Sequence, residues 1–187
     1  MRNITWLVFA LFSLISITAP ASLAVDVPFI LPSRSELLKL KTAALFTSRG
    51  RIRFELFPEE APWHVANFKY LADKGFYRDR QFHLFLPDYI IQTGLPKISE
   101  KQLFGYTLPP EFSQRQHQPG SLGMARLPDN KNAERRSSGT QFHILLDYNH
   151  KMDGSYTIFG QLIEGMDVLK ELRKGDIIQD LKVYVRD

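Results

Sequence analysis

The side chains able to do chemistry in this chain are limited in kind. There is no cysteine among the 187 residues, which removes disulfides, thiolate nucleophiles and thiolate metal sites together. The five histidines, His64, His83, His117, His143 and His150, show no metal-ligand spacing. His83 reads as a hydrogen-bonded structural residue rather than an acid or base. The net charge of +4 comes from scattered lysines and arginines. The Arg135-Arg136 cluster has no aromatic interleaving, so it reads as a solvated face rather than a nucleic-acid surface.

The length suits one domain with a core of its own, and 44% hydrophobic with 24% charged residues is a globular composition. Met1 to Ala24 reads as a secretory signal. Arg2 forms a positive start, Trp6 to Ile17 an apolar run, and Pro20 precedes the small residues Ala21, Ser22 and Ala24. Cleavage fits after Ala21 or after Ala24, and no cysteine follows that could carry lipid. Residues 25–40 read as a lead-in segment, with Ser33 to Glu36 spaced as a capping box before a short helix. The domain proper is expected over residues 41–187.

Within it the pattern is β-rich. Ala43 to Thr47 and Arg51 to Phe57 flank the turn Ser48-Arg49-Gly50, and Ile52, Phe54 and Leu56 alternate with charged residues. Pro62 then opens a helix that Gly75 stops, with Glu59 and Glu60 near its positive end and Val65, Phe68, Leu71 and Ala72 on one face. A second helix fits Met166 to Leu172. Short strands fit Gln81–Leu86, Tyr89–Gln92, Leu122–Ala125, Gln141–Leu146, Thr157–Ile163 and Ile178–Val185. Phe142 and Phe159 read as core. Many short strands with few helices indicate a barrel or a sandwich. Such a fold hosts many functions, so function must come from particular residues.

Three stretches supply them. The first is Phe57-Pro58-Glu59-Glu60-Ala61-Pro62 with Val65-Ala66-Asn67-Phe68. The second is Phe82-His83-Leu84-Phe85-Leu86-Pro87, continuing to Tyr89, Ile90, Gln92 and Gly94. The third runs from Pro119-Gly120 through Met124-Ala125, Ser138 to Phe142, Asp153-Gly154 and Phe159-Gly160 to Glu164-Gly165-Met166. Order and spacing resemble the cyclophilin family across nearly all of Ala43 to Val185. The resemblance implies a closed eight-stranded antiparallel β-barrel capped by a helix at each end. It also implies a peptidyl-prolyl cis-trans isomerase, a rotamase acting on X-Pro bonds without cofactor or metal.

The resemblance carries site residues over unevenly. Gln92, Ala125 and Gln141 match the family's pocket positions. Tyr89, Ile90, Met152 and Tyr156 are substitutions that keep a largely apolar wall, and Arg126, beside Ala125, reads as lying on a solvated surface, with a swing into the substrate site as the alternative. Leu84 stands where the family has its catalytic arginine, Lys151 where it is usually aromatic, and His143 where it has a phenylalanine. Leucine cannot donate a hydrogen bond. His143 is either a packed neutral imidazole or a compensating donor. The resemblance therefore supports an exported isomerase of reduced activity, a monomer that meets proline-containing segments and neither nucleic acid nor, after cleavage, a membrane. The alternative is a catalytically weak module of the same fold that holds such segments as a chaperone or scaffold.

Overall fold

The computed structural model describes residues 26–186, so the secretory-signal reading of Met1 to Ala24 lies outside the described residues. The lead-in forms α1 (Arg34–Leu37), started by the capping box: Ser33 N–H donates to Glu36 Oε2 at 2.8 Å and Glu36 N–H to Ser33 Oγ at 3.4 Å. Leu37 and Leu40 are buried in the main core, so the lead-in is packed rather than trailing.

β1 (Thr42–Thr47) and β2 (Gly50–Leu56) make the expected hairpin, with Ile52, Phe54 and Leu56 inside. The wet face of β2 is held by charge, since Arg51 and Arg53 both reach Glu164. Next comes α2 (Pro62–Asp73). Glu59 and Glu60 do not serve its N-terminus; they pair with Lys41 and Arg115 instead. The carboxylate of the distant Glu111 takes that place, accepting from Trp63 N–H at 3.0 Å and His64 N–H at 3.1 Å. It satisfies two donors that the helix itself leaves free. Phe68 carries the buried face into the core, edge-on to Phe142 and Phe159.

The remaining strands are β3 (Leu84–Leu86), β4 (Ile90–Thr93), β5 (Thr107–Leu108), β6 (Ser121–Met124), β7 (Ser137–Ser138), β8 (Phe142–Leu145), β9 (Ile158–Glu164) and β10 (Ile178–Tyr184). Two more α-helices, α3 (Lys101–Phe104) and α4 (Met166–Glu171), and three 3-10 turns of three residues each complete the order among the described residues, α4 lying against β2. Eight strands form one antiparallel curled sheet in the order β10-β1-β2-β9-β6-β8-β4-β3, and β5 pairs with β7 apart from it.

The closed barrel expected from the resemblance is not what the ladders form. β10 and β3 are edges that share no ladder. The chain before β3 meets the start of β10 through the bridge Gln81–Ile177 and four backbone hydrogen bonds, among them Asp79 N–H to Ile178 O at 2.8 Å. Strand pairing there stops because Leu84 to Leu86 turn away to pair with β4. Among the described residues no helix is long and apolar enough to cross a membrane.

Candidate functional site

One row of residues crosses four strands. Leu84 on β3 pairs with Gln92 on β4, Gln92 with His143 on β8, and His143 with Gly123 on β6. Residues directly opposite in antiparallel strands share a face, so Leu84, Gln92 and His143 point the same way. Gly123 is what makes room for the imidazole, because a Cβ there would lie 2.4 Å from His143 Nε2. Two residues along the strands, Ile90 and Leu145 pack with Met152, Leu84 and Tyr156 in a small apolar cluster. The side-chain period of two on each strand thus builds an apolar wall beside a polar row.

That wall bounds a cleft of about 680 Å³. Ten of the residues singled out from the sequence line it: Leu84, Tyr89, Ile90 and Gln92 from the β3–β4 hairpin, Ala125, Arg126, Gln141 and His143 from the β6 and β8 region, and Met152 and Tyr156 from the turn beyond. Lys151 is exposed and does not line the cleft.

Two amides hold the middle of the cleft. Gln92 Nε2 donates to Gln141 Oε1 at 3.1 Å and to His83 Nε2 at 3.4 Å. Gln141 N–H donates to Ser138 Oγ at 3.1 Å, and Ala125 N–H to Gln141 O at 2.9 Å. Gly94 lets the chain enter this arrangement: its φ is +82°, and a Cβ would fall 2.2 Å from Thr140 O, which only glycine accommodates.

Arg126 corrects the expectation of a solvated surface. Its side chain is only 5% exposed. The guanidinium lies over the Tyr156 ring, 4.5 Å from the centroid, and donates to Ser155 O, Leu127 O and Asp129 Oδ1 at 2.7–3.0 Å. Aromatic stacking and neighbouring acceptors, rather than water, hold it in the cleft wall.

The row carries no charge of its own. Burial, with the neighbouring His117 as a lesser cause, pulls the His143 imidazole down to about 3, so it is neutral. Its Nε2 is buried without a partner. Burial also lowers His83, with Lys174 as a lesser cause. Burial lowers His117 too, although Asp153 bonds its Nδ1 at 2.8 Å and pulls the other way. His83 is half-buried and hydrogen-bonded through Gln92, in keeping with a structural role. No group of three metal-binding side chains occurs among the described residues.

The sequence reading missed the far end of the cleft, which Phe104 to Thr107, Lys131, Asn132 and Arg136 line. Phe104, Thr107 and Lys131 sit on elements of two to four residues and the others between elements, where periodicity does not register. Ser138 and Thr140, in the quoted Ser138 to Phe142 stretch, were the signal that pointed there.

A model of the family described as cyclophilin type peptidyl-prolyl cis-trans isomerase/CLD matches residues 39–186. The chain belongs to this family. Similar relatives include peptidyl-prolyl cis-trans isomerase B of Bacillus subtilis, 33% identical over 147 residues, which cover 77% of this chain and 99% of the relative. A peptidyl-prolyl cis-trans isomerase of Synechococcus elongatus is 36% identical over 143 residues, 75% of this chain and 94% of the relative. Among solved structures, a cyclophilin-type isomerase of Cryptosporidium parvum matches with a TM-score of 0.67 at 25% identity, covering 79% of this chain and 99% of that one. The same enzyme crystallised in the presence of the dipeptide Ala-Pro matches with a TM-score of 0.65 at 26% identity, over 78% and 99%.

Proposed function

We propose that this chain is a peptidyl-prolyl cis-trans isomerase acting on X-Pro bonds of exported polypeptides, with a chemical step slowed by Leu84. The observation that carries the reading is the row Leu84–Gln92–His143 beside the apolar cluster of Ile90, Met152 and Tyr156. The apolar end suits a proline ring and the amide row suits the peptide groups on either side of it. An isomerase of the same family crystallised with Ala-Pro supports the same class of ligand.

The reaction breaks no covalent bond. Conjugation gives the amide a rotation barrier of ~18–20 kcal/mol, and catalysis consists of binding the twisted amide better than either planar form. Ile90, Met152 and Tyr156 would fix the ring and exclude water. Gln92, itself fixed by Gln141, would hold the flanking peptide so that rotation occurs about one bond. A charged donor to the prolyl nitrogen is missing at Leu84. Nε and one terminal nitrogen of Arg126 are already engaged with protein acceptors. Neutral His143 is the remaining donor in the row, weaker than a guanidinium because it carries no charge.

Turnover of a short proline peptide, followed by coupled proteolysis of the trans form, tests the reading. Tight binding without turnover would instead favour the holding module. Export rests on the pattern of Met1 to Ala24. N-terminal sequencing of native material should give Ser22 or Val25 as the first residue, and an intact Met1 in a cytosolic fraction would refute it.

A further inference from the structure

The two ends of the cleft differ in charge. Its lining contains Arg126, Lys131 and Arg136 and no aspartate or glutamate. Arg126 is neutralised by Asp129, whose other oxygen accepts from Arg135 at 2.8 Å. Asp129 thus serves two guanidinium groups, and Glu134, the other carboxylate of this loop, is exposed and outside the cleft lining. Arg136 has only neutral partners: its Nε donates to Thr107 Oγ1 at 2.6 Å and its Nη2 to Thr107 O at 3.0 Å. Its main chain is clamped as well, since Arg136 N–H donates to Asn132 Oδ1 at 3.0 Å and Asn132 Nδ2 to Arg136 O at 2.8 Å. Arg136 is thus a half-buried guanidinium, held in place on an unbalanced charge. Lys131, beside it in the lining, is exposed and has no ion-pair partner among the described residues.

We infer that this end of the cleft is a subsite for an acidic side chain of the substrate, recognised by Arg136 with Lys131 adding charge at the rim. The inference rests on the isomerase reading for the place of the proline. A guanidinium already oriented by neutral acceptors loses little freedom on meeting a carboxylate, and it offers a charge-assisted bond that a solvated lysine does not. The subsite connects to the proline end through Ser138, two residues from Arg136, whose hydroxyl accepts from Gln141 N–H. An extended peptide advances at most ~3.3–3.6 Å per residue, so three residues on either side of the proline reach about 10 Å in each direction.

The test is a peptide scan. Glutamate and glutamine are compared at each of the three positions on either side of proline, by turnover and by calorimetric binding. One position should favour glutamate about fivefold, the size expected of a partly exposed ion pair, and the preference should shrink as salt is raised. In Arg136→Glu the same position should favour lysine over glutamate. A merely structural role for Arg136 would lower all peptides together and leave the order unchanged. Should Arg136→Glu not fold, Lys131→Glu must still reduce the glutamate preference. Equal response to glutamate and glutamine at every position, or a preference untouched by both variants, overturns the inference. Charge-selective binding without turnover would uphold the subsite while refuting the isomerase reading.

Discussion

Replacing Leu84 by arginine puts a donor back into a cleft wall that has none at that register position. Leu84 is half-buried, pairs with Gln92 and touches the cluster of Ile90, Leu145 and Met152. A preorganised donor aimed at a transition state is worth ~2.7–4 kcal/mol, or roughly 10²–10³ in rate. That full value requires a guanidinium held by a supporting shell. Here the shell offers one amide already engaged twice through its Nε2 and an imidazole whose Nε2 has no partner. About half the energy is therefore expected, a gain of roughly tenfold to thirtyfold. The gain should appear in kcat more than in KM, because the donor meets the twisted amide and not the planar one. Coupled proteolysis of a tetrapeptide containing Ala-Pro measures it. Leu84→Met keeps the volume without a donor and should gain nothing. The reasoning fails if wild type already turns over at a rate Leu84→Arg does not exceed, while His143→Phe and Arg126→Ala each leave that rate unchanged. No donor would then be needed.

Further outcomes follow from the same geometry. Gln92→Ala removes the amide that bonds both Gln141 and His83 and should lower kcat/KM about tenfold, the worth of one to two net hydrogen bonds; an unchanged value would remove Gln92 from the site. Gly123→Ala sets a methyl 2.4 Å from His143 Nε2 and should cost about 1–3 kcal/mol of stability by urea denaturation. That loss should shrink in a His143→Ala background, where the methyl has room. His143 binds its proton near 6.5 when unfolded but only at about 3 when folded. The stability it contributes is therefore complete above ~6.5 and is lost as pH falls towards 3. His143→Phe should flatten that decline by on the order of 1 kcal/mol per pH unit, leaving the part due to His83 and His117.

The parts legible in the sequence were those whose cause is local. Alternation of Ile52, Phe54 and Leu56 and the Pro62 to Gly75 helix each follow from a few consecutive residues, and both stand in the structure. The cap of α2 was not legible, because Glu111 lies 47 residues from His64 and nothing near Pro62 announces it. Arg126 was misjudged for a similar reason: its acceptors Ser155 O and the Tyr156 ring come from a turn some thirty residues on. The cleft residues were found by resemblance rather than by periodicity, and the strand register explains why they converge. The basic end escaped both readings, since Lys131 closes a turn of three residues and Arg136 lies between elements, where no pattern registers.

Exchange spectroscopy on an isotopically labelled Ala-Pro peptide tests the central claim without any coupling enzyme. Uncatalysed, the cis and trans signals interconvert over tens to hundreds of seconds and show no exchange on the timescale of the measurement. With a small molar fraction of this protein, exchange cross-peaks should appear, and they should weaken in Gln92→Ala. Saturable binding of the peptide with no exchange at any protein concentration would contradict the account and leave a cleft that holds proline segments without turning them.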